Sequence, residues 1–280
     1  MRELAVGANA AIAFVENTAS SGAMEQVICI LREALGTKDK EKTMSEQSSV
    51  VVLVHGAFAE SASWNGVVEQ LLPNSIEVVA VANPLRSIAG DAAYVRDVIA
   101  GIGKPVVLVA HSYGGMVITE AAARNDAVKG LVYVCAFAPE QGEGAFELSR
   151  KFPGSTLGEA LVAYPVSTGG NELAIRSDAF HHQFAADVPA GQAAAMCATQ
   201  RPVTEAALVA GLPTDAPAWK TLPSWFVFSD QDLNIPVPLH RYMAQRAGAK
   251  GIREVAGASH ALSVSNPDVV TAAILDALAA

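Results

Sequence analysis

The hexapeptide AHSYGG at 110–115 stands between a strand-like run, VVLVA, and a helix-like run, GMVITEAAA. A chain that passes directly from strand to helix turns sharply, and the residue at the tip, Ser112, projects its hydroxyl clear of the backbone. The positions two before and two after must be small because the backbones crowd there; they are Ala110 and Gly114. A serine hydroxyl is a poor nucleophile until a base takes its proton. An imidazole base in turn needs a carboxylate to hold its tautomer and stabilise its cation. Two later loops carry those groups. SDQDLNIP at 229–236 offers Asp230 and Asp232, and GASHAL at 257–262 places His260 among small neighbours that leave it accessible. The chain order is Ser112, an aspartate, then His260.

A fourth segment, HGAF at 55–58, follows the first strand-like run. A loop there can aim a backbone N–H at a developing oxyanion, and the second donor is the N–H of the residue after the nucleophile, Tyr113. Ala57 is the expected first donor, with Phe58 the alternative, and Gly56 lets the backbone come close. His55 is expected to shape this loop by hydrogen bonding rather than serve as the base. The other histidines are assigned lesser roles. His111 belongs to the turn, with its side chain away from the Ser112 hydroxyl, and His181 and His182 fall in a segment expected to line a pocket. His240 stands on a helix with charged neighbours and is expected to be exposed. Phe58, Tyr113, Phe137, Phe180 and His181 are the candidate pocket walls, and an aromatic, weakly charged pocket suits a small or medium apolar ester. No His, Cys or carboxylate spacing matches a metal site, so neither metal nor cofactor is expected.

Alternating strands and helices must position these loops. Residues 49–54, SVVVLV, form a continuous β-branched run, the mark of a strand buried on both faces. Further strands are expected at 76–82, 105–110, 129–136, 224–229 and 251–255. Helices are expected at 63–72, 91–102, 115–124, 238–247 and 267–278. That alternation implies an α/β fold with a mostly parallel sheet covered by helices on both faces. Residues 139–218 break the rhythm with seven prolines and no convincing strand, and read as an inserted helical cap over one edge of the sheet.

From about residue 49 onward the chain resembles the α/β-hydrolase superfamily. More closely, it is similar to the branch holding plant methyl-salicylate and methyl-jasmonate esterases, hydroxynitrile lyases and many bacterial esterases. The residues carrying the resemblance are VVLVHGAF, AHSYGGMV, VCAFAPE at 134–140, RPVT at 201–204, SDQDLNIP and EVAGASH, in that order. The resemblance implies the α/β-hydrolase fold with a cap, and a triad of Ser112, His260 and the second acid of DQD, Asp232. Hydroxynitrile lyases of this branch carry Thr where Gly56 stands and Lys directly after the histidine, where this chain has Ala261. Both differences favour ester hydrolysis. Cofactor-free perhydrolases and non-catalytic ligand-binding relatives share the triad and stay as alternatives, whereas relatives with an Asp nucleophile are excluded by Ser112.

Composition sets the outer bounds. In 280 residues, 51% are hydrophobic and 17% charged, which excludes a disordered chain. At this length roughly three quarters of the unfolded surface is buried on folding, so no staples are needed. Lys plus Arg is 19 and Asp plus Glu 28, a formal charge of −9 without a basic run, so nucleic acid is not an expected partner. No stretch of about 18 apolar residues suggests a membrane span. The expected partners are a small-molecule ester and, optionally, a second copy of the chain in a homodimer. Cys29, Cys135 and Cys197 are far apart and read as reduced thiols in a cytoplasmic protein. Residues 1–43 look unlike the rest. The apolar run at 4–15 lacks the positive flank and clean core of a signal peptide. Residues 24–35 put Met24, Val27, Ile28, Leu31 and Leu35 on one helical face, and KDKEK at 38–42 reads as a solvated linker. An alternative start at Met44 would make this segment an upstream extension to a 44–280 domain.

Overall fold

The structure is a computed structural model that describes residues 49–280. The expectations for residues 1–43, the helix at 24–35 and Cys29 among them, lie outside the described residues. The chain begins with β1 (Val50–Val54), α1 (Asn65–Leu71), β2 (Val78–Val81), α2 (Ile88–Ile102), β3 (Val106–His111), α3 (Gly114–Ala121) and β4 (Val128–Val134). After a long insertion it resumes with β8 (Ser224–Ser229), α9 (Val237–Arg246), β9 (Gly251–Val255), α10 (Leu262–Ser265) and α11 (Pro267–Leu278). The six strands form one sheet in the order β2-β1-β3-β4-β8-β9, and every pairing is parallel. All five residues of β1 and all six of β3 and β8 are buried. That explains their mainly apolar sequences: helices cover both faces, and the few polar residues, His111, Ser224 and Ser229, stand at strand ends.

The register matters for function. Val54 of β1 lies beside Ala110 of β3, and Ser229 of β8 beside Val255 of β9. Strands that end level deliver their following loops to one edge. The 55–58 loop, Ser112, the 230–236 loop and the 256–261 loop thus all emerge at the carboxyl ends of the strands. The chain leaves β1 for β2 on one side and returns to β3 on the other, and such a reversal opens a crevice at the strand ends where ligands bind.

Element bounds follow local chemistry. Helix α2 begins three residues before the expected position because Ser87 caps it, its hydroxyl accepting from Gly90 N–H at 3.1 Å. Gly103, in the left-handed region, closes it. Gly114 opens α3, and a Cβ there would lie 2.6 Å from the Val54 carbonyl oxygen. Only glycine lets the helix start against β1.

Between β4 and β8 the chain forms α4 (Ala145–Ser149), α5 (Leu157–Ala160), β5 (Leu161–Pro165), β6 (Asn171–Ile175), α6 (Phe180–Phe184), α7 (Ala190–Thr199), β7 (Val203–Thr204) and α8 (Glu205–Val209). The insertion is not purely helical: β5-β6-β7 make a three-stranded antiparallel sheet. The strands escaped the sequence reading because β5 is largely exposed and its apolar run, LVAYP, ends in a proline, which argues against a strand. Their hairpin turn was the overlooked signal. Gly169 and Gly170 both have positive φ, and Val166 N–H donates to the Gly170 carbonyl at 3.1 Å.

Candidate active site

Ser112 sits at the tip of the turn between β3 and α3 with φ of 54°, a left-handed conformation that costs a non-glycine residue about 1 kcal/mol or more. The surrounding backbone holds it there. Its carbonyl accepts from Gly115 N–H at 3.0 Å and Phe137 N–H at 3.2 Å, and its own N–H donates to the Val134 carbonyl at 3.3 Å. Gly56 completes the fit, since a Cβ there would stand 2.6 Å from Ser112 Cβ.

His260 and Asp232 meet as a buried pair. His260 Nδ1–H donates to Asp232 Oδ2 at 2.7 Å. Because a carboxylate only accepts, this bond places the His260 proton on Nδ1 and leaves Nε2 free to take one. His260 Nε2 is buried and has no hydrogen-bond partner among the described residues. Asp232 Oδ1 accepts from Asn234 N–H at 2.8 Å and Ile235 N–H at 2.9 Å. Burial alone would raise the Asp232 carboxyl, but His260 and His240 outweigh it and hold the group well below the usual carboxylate range. Asp230 stands apart: it accepts from Gly257 N–H at 2.7 Å and from Gln231, at the protein surface. It ties the two loops together and makes no hydrogen bond to His260.

The other histidines differ from their expected places in part. His55 Nδ1–H donates to the Gly56 carbonyl at 2.9 Å, while the His55 carbonyl accepts from Asn83 at 3.0 Å. Burial pushes the His55 imidazole down to about 4, so it holds the loop as a neutral group. The His111 ring packs 4.6 Å from the His260 ring, and its Nε2–H donates to the His260 carbonyl at 2.9 Å. Burial, followed by the neighbouring His260, pushes His111 down to about 3. His240, expected to be exposed, is buried. Arg241 beside it in sequence faces outward while the His240 ring stacks on Phe228 of β8, a distinction that helix phase carries and local charge does not.

The backbone N–H groups expected to face an oxyanion differ in their partners. Phe58 N–H is already committed to the Arg201 carbonyl at 3.1 Å. That removes Phe58 as the alternative donor. Ala57 N–H and Tyr113 N–H donate to nothing among the described residues. Tyr113 N–H also lies at the start of α3, where the helix dipole favours negative charge. The Tyr113 hydroxyl donates to buried Asp91 Oδ2 at 2.9 Å, which pins the side chain while leaving the backbone free.

A cleft lies over Ser112, with Ala57, Phe58, Tyr113 and Phe137 among its walls, as expected for the last three. Phe180 and His181 are not among them. Phe180 stacks on Phe184 at 5.2 Å inside the insertion, and exposed His181 bonds the Val188 carbonyl at 2.9 Å. An apolar residue near a histidine in sequence is too weak a signal to place a wall. Phe146, Leu157, Leu208 and Ile235 take that role instead, and no wall residue carries a charge. The cleft has about 20 Å³ of free space, room for one water molecule. A second, largely apolar cavity of about 250 Å³ lies across Phe58, bounded by Ala195 and Met196 of α7 and by Val264. Phe184, missed in the sequence, packs edge-on against both His260 at 5.0 Å and His111 at 5.9 Å.

Comparison with known proteins decides the lineage. The alpha/beta hydrolase family matches residues 51–273. The chain belongs to that family. Over 247 residues it is 29% identical to the alpha/beta hydrolase nvfD of Aspergillus novofumigatus, covering 81% of this chain and 95% of that protein. Polyneuridine aldehyde esterase shares the fold with a TM-score of 0.70 at 20% identity, covering 82% of this chain and 99% of the esterase. The methylesterase MES16 from Arabidopsis aligns with a TM-score of 0.66 at 18% identity, over 82% of this chain and 99% of its own. These fold neighbours include esterases of the branch that the sequence motifs resemble. Among the described residues, no helix of this alpha/beta hydrolase is long and apolar enough to cross a membrane.

Proposed function

We propose that this alpha/beta hydrolase is a serine carboxylic-ester hydrolase. Ser112 Oγ gives its proton to His260 Nε2 and attacks the ester carbonyl carbon. The resulting oxyanion is bound by the N–H groups of Ala57 and Tyr113, donors fixed in place before the charge develops. The proton on His260 passes to the alkoxide as the C–O bond breaks, leaving an acyl group on Ser112. His260 then deprotonates a water that attacks the acyl-enzyme, and returns the proton to Ser112 as the carboxylic acid leaves. Asp232 holds the His260 tautomer and stabilises its cation throughout.

The observation that carries this reading is the 2.7 Å bond from His260 Nδ1 to Asp232, with His260 Nε2 left buried and unpaired. An unpaired buried nitrogen costs stability, and here it is the nitrogen a serine nucleophile requires. The uncharged walls support a small or medium apolar ester. Two features disfavour the lyase chemistry of the branch. A side chain at Gly56 would meet Ser112, and buried Ala261 places no cation beside His260. A chain-length series of chromogenic esters tests the proposal: turnover should be highest for short or medium acyl groups. Tight binding of such esters without turnover would instead support a ligand-binding relative.

A further inference from the structure

Asp232 has a partner that the triad does not account for. His240, on α9, sends its Nε2 to Asp232 Oδ2 at 3.1 Å, the same oxygen that accepts from His260 Nδ1 at 2.7 Å. The side chains of both residues are essentially sealed from solvent. The ring of His240 lies flat on Phe228 of β8, with centroids 5.1 Å apart and planes within 8°, which fixes the direction of Nε2. A carboxylate oxygen offers only lone pairs, so His240 must carry its proton on Nε2 and donate.

The geometry points to His240 as a positioning residue that acts on the base through Asp232, an inference that rests on the triad proposed above. Asp232 Oδ1 is held by Asn234 and Ile235 N–H, and Oδ2 by the two imidazoles. Four donors, two on each oxygen, leave the carboxylate no rotation, so His260 is oriented by a fixed group. His240 also withdraws charge from the oxygen that faces His260, which tempers how strongly Asp232 favours the imidazolium. Cys135 Sγ lies within 4.8 Å of one ligand atom each of Asp232 and His240, a spacing that would admit a metal ion. The carboxylate, however, is already fully engaged by hydrogen-bond donors. Burial drives His240 toward its neutral form, against the opposing pull of Asp232. The titratable groups facing it are Asp232, His260 and Cys135, with Glu254 of β9 farther out.

Glutamine and methionine at position 240 separate positioning from packing. Both are flexible and similar in size, but only glutamine can donate to Asp232. His240→Met should lower kcat by about tenfold to a hundredfold, the worth of one hydrogen bond to a charged group, with KM little changed. It should also move the acidic limb of the kcat/KM profile to higher pH, because a less-stabilised carboxylate holds the imidazolium more strongly. His240→Gln should retain most of kcat and the original limb. If the methionine variant keeps wild-type kcat and limb, or if both variants lose activity equally with the limb unmoved, the inference is overturned. Ser112→Ala assayed on the same ester keeps the two ideas distinct. Activity surviving that change defeats the triad itself, whereas an inactive Ser112→Ala beside an unaffected His240→Met defeats only the role of His240.

Discussion

The carboxyl edge of the parallel sheet and the insertion between β4 and β8 solve different problems. At the sheet edge, Ser112 and Asp232 stand on loops that follow strands buried along their length, and His260 on the loop after the half-exposed β9. Both carboxylate oxygens of Asp232 are bonded, and Ser112 is held in a strained conformation by three backbone bonds. The insertion is looser in kind. Its antiparallel sheet has an exposed strand, and it supplies Phe146, Leu157 and Leu208 to the cleft through apolar contact alone. Rigidity at the sheet edge serves chemistry, which tolerates little displacement of reacting groups. Apolar packing in the insertion serves selection, where a methylene more or less shifts discrimination only modestly. Substitutions at the sheet edge should therefore act on kcat, and those in the insertion on substrate preference.

The largest expected effect is at Ser112. Ser112→Ala should lower kcat for ester hydrolysis by about 10⁶-fold with the fold retained, measured by turnover alongside circular dichroism. Next come the two aspartates. Asp232→Asn keeps shape but lets His260 settle in the wrong tautomer, and should cost about 10⁴-fold in kcat. Asp230→Asn keeps an acceptor for Gly257 N–H and should cost about tenfold or less. A reversed ranking on one ester would move the acid to Asp230.

Much of this edge was legible before any coordinates. The strands at 224–229 and 251–255 and the helix at 267–278 fall where apolar runs and bounding prolines and glycines put them. The sequence resemblance selected Asp232, the acid that the structure places against His260. What was not legible depended on contacts between distant residues. Phe58 was an admissible donor until Arg201, far along the chain, took its N–H. His240 looked exposed because its sequence neighbours are charged, whereas its burial depends on Phe228 and Asp232. In the insertion, the apolar run of β5 is largely exposed and β6 alternates over only two buried residues, Leu173 and Ile175, too short a pattern to mark a sheet.

On the insertion side, Leu157→Ala should enlarge the cleft. It should raise kcat/KM for longer acyl esters by roughly threefold to tenfold relative to the shortest ester, a change of the size one or two methylenes bring. The kcat on the shortest ester should be nearly constant. A fall in kcat on every ester would place Leu157 with the chemistry and erase the distinction between the regions.

The most gradual effect is on stability. His55 and His111 stay neutral in the folded protein down to about 4 and about 3, whereas an unfolded histidine takes a proton near 6.5. Between those values the unfolded chain binds more protons, so stability rises with pH and is lost as pH falls below about 6.5. Each histidine contributes a slope of up to about 1.4 kcal/mol per pH unit. Urea unfolding at pH 7, 6 and 5 checks this, and His55→Asn should flatten the slope.

The most direct test is to trap the nucleophile. Incubation with an organophosphonate ester that mimics the tetrahedral intermediate should add one mass increment per chain, mapped by peptide mass spectrometry to Ser112, with esterase activity lost in proportion. Ser112→Ala should take up none. Labelling at another residue with activity lost in step, or full activity in a protein labelled stoichiometrically at Ser112, would contradict the account.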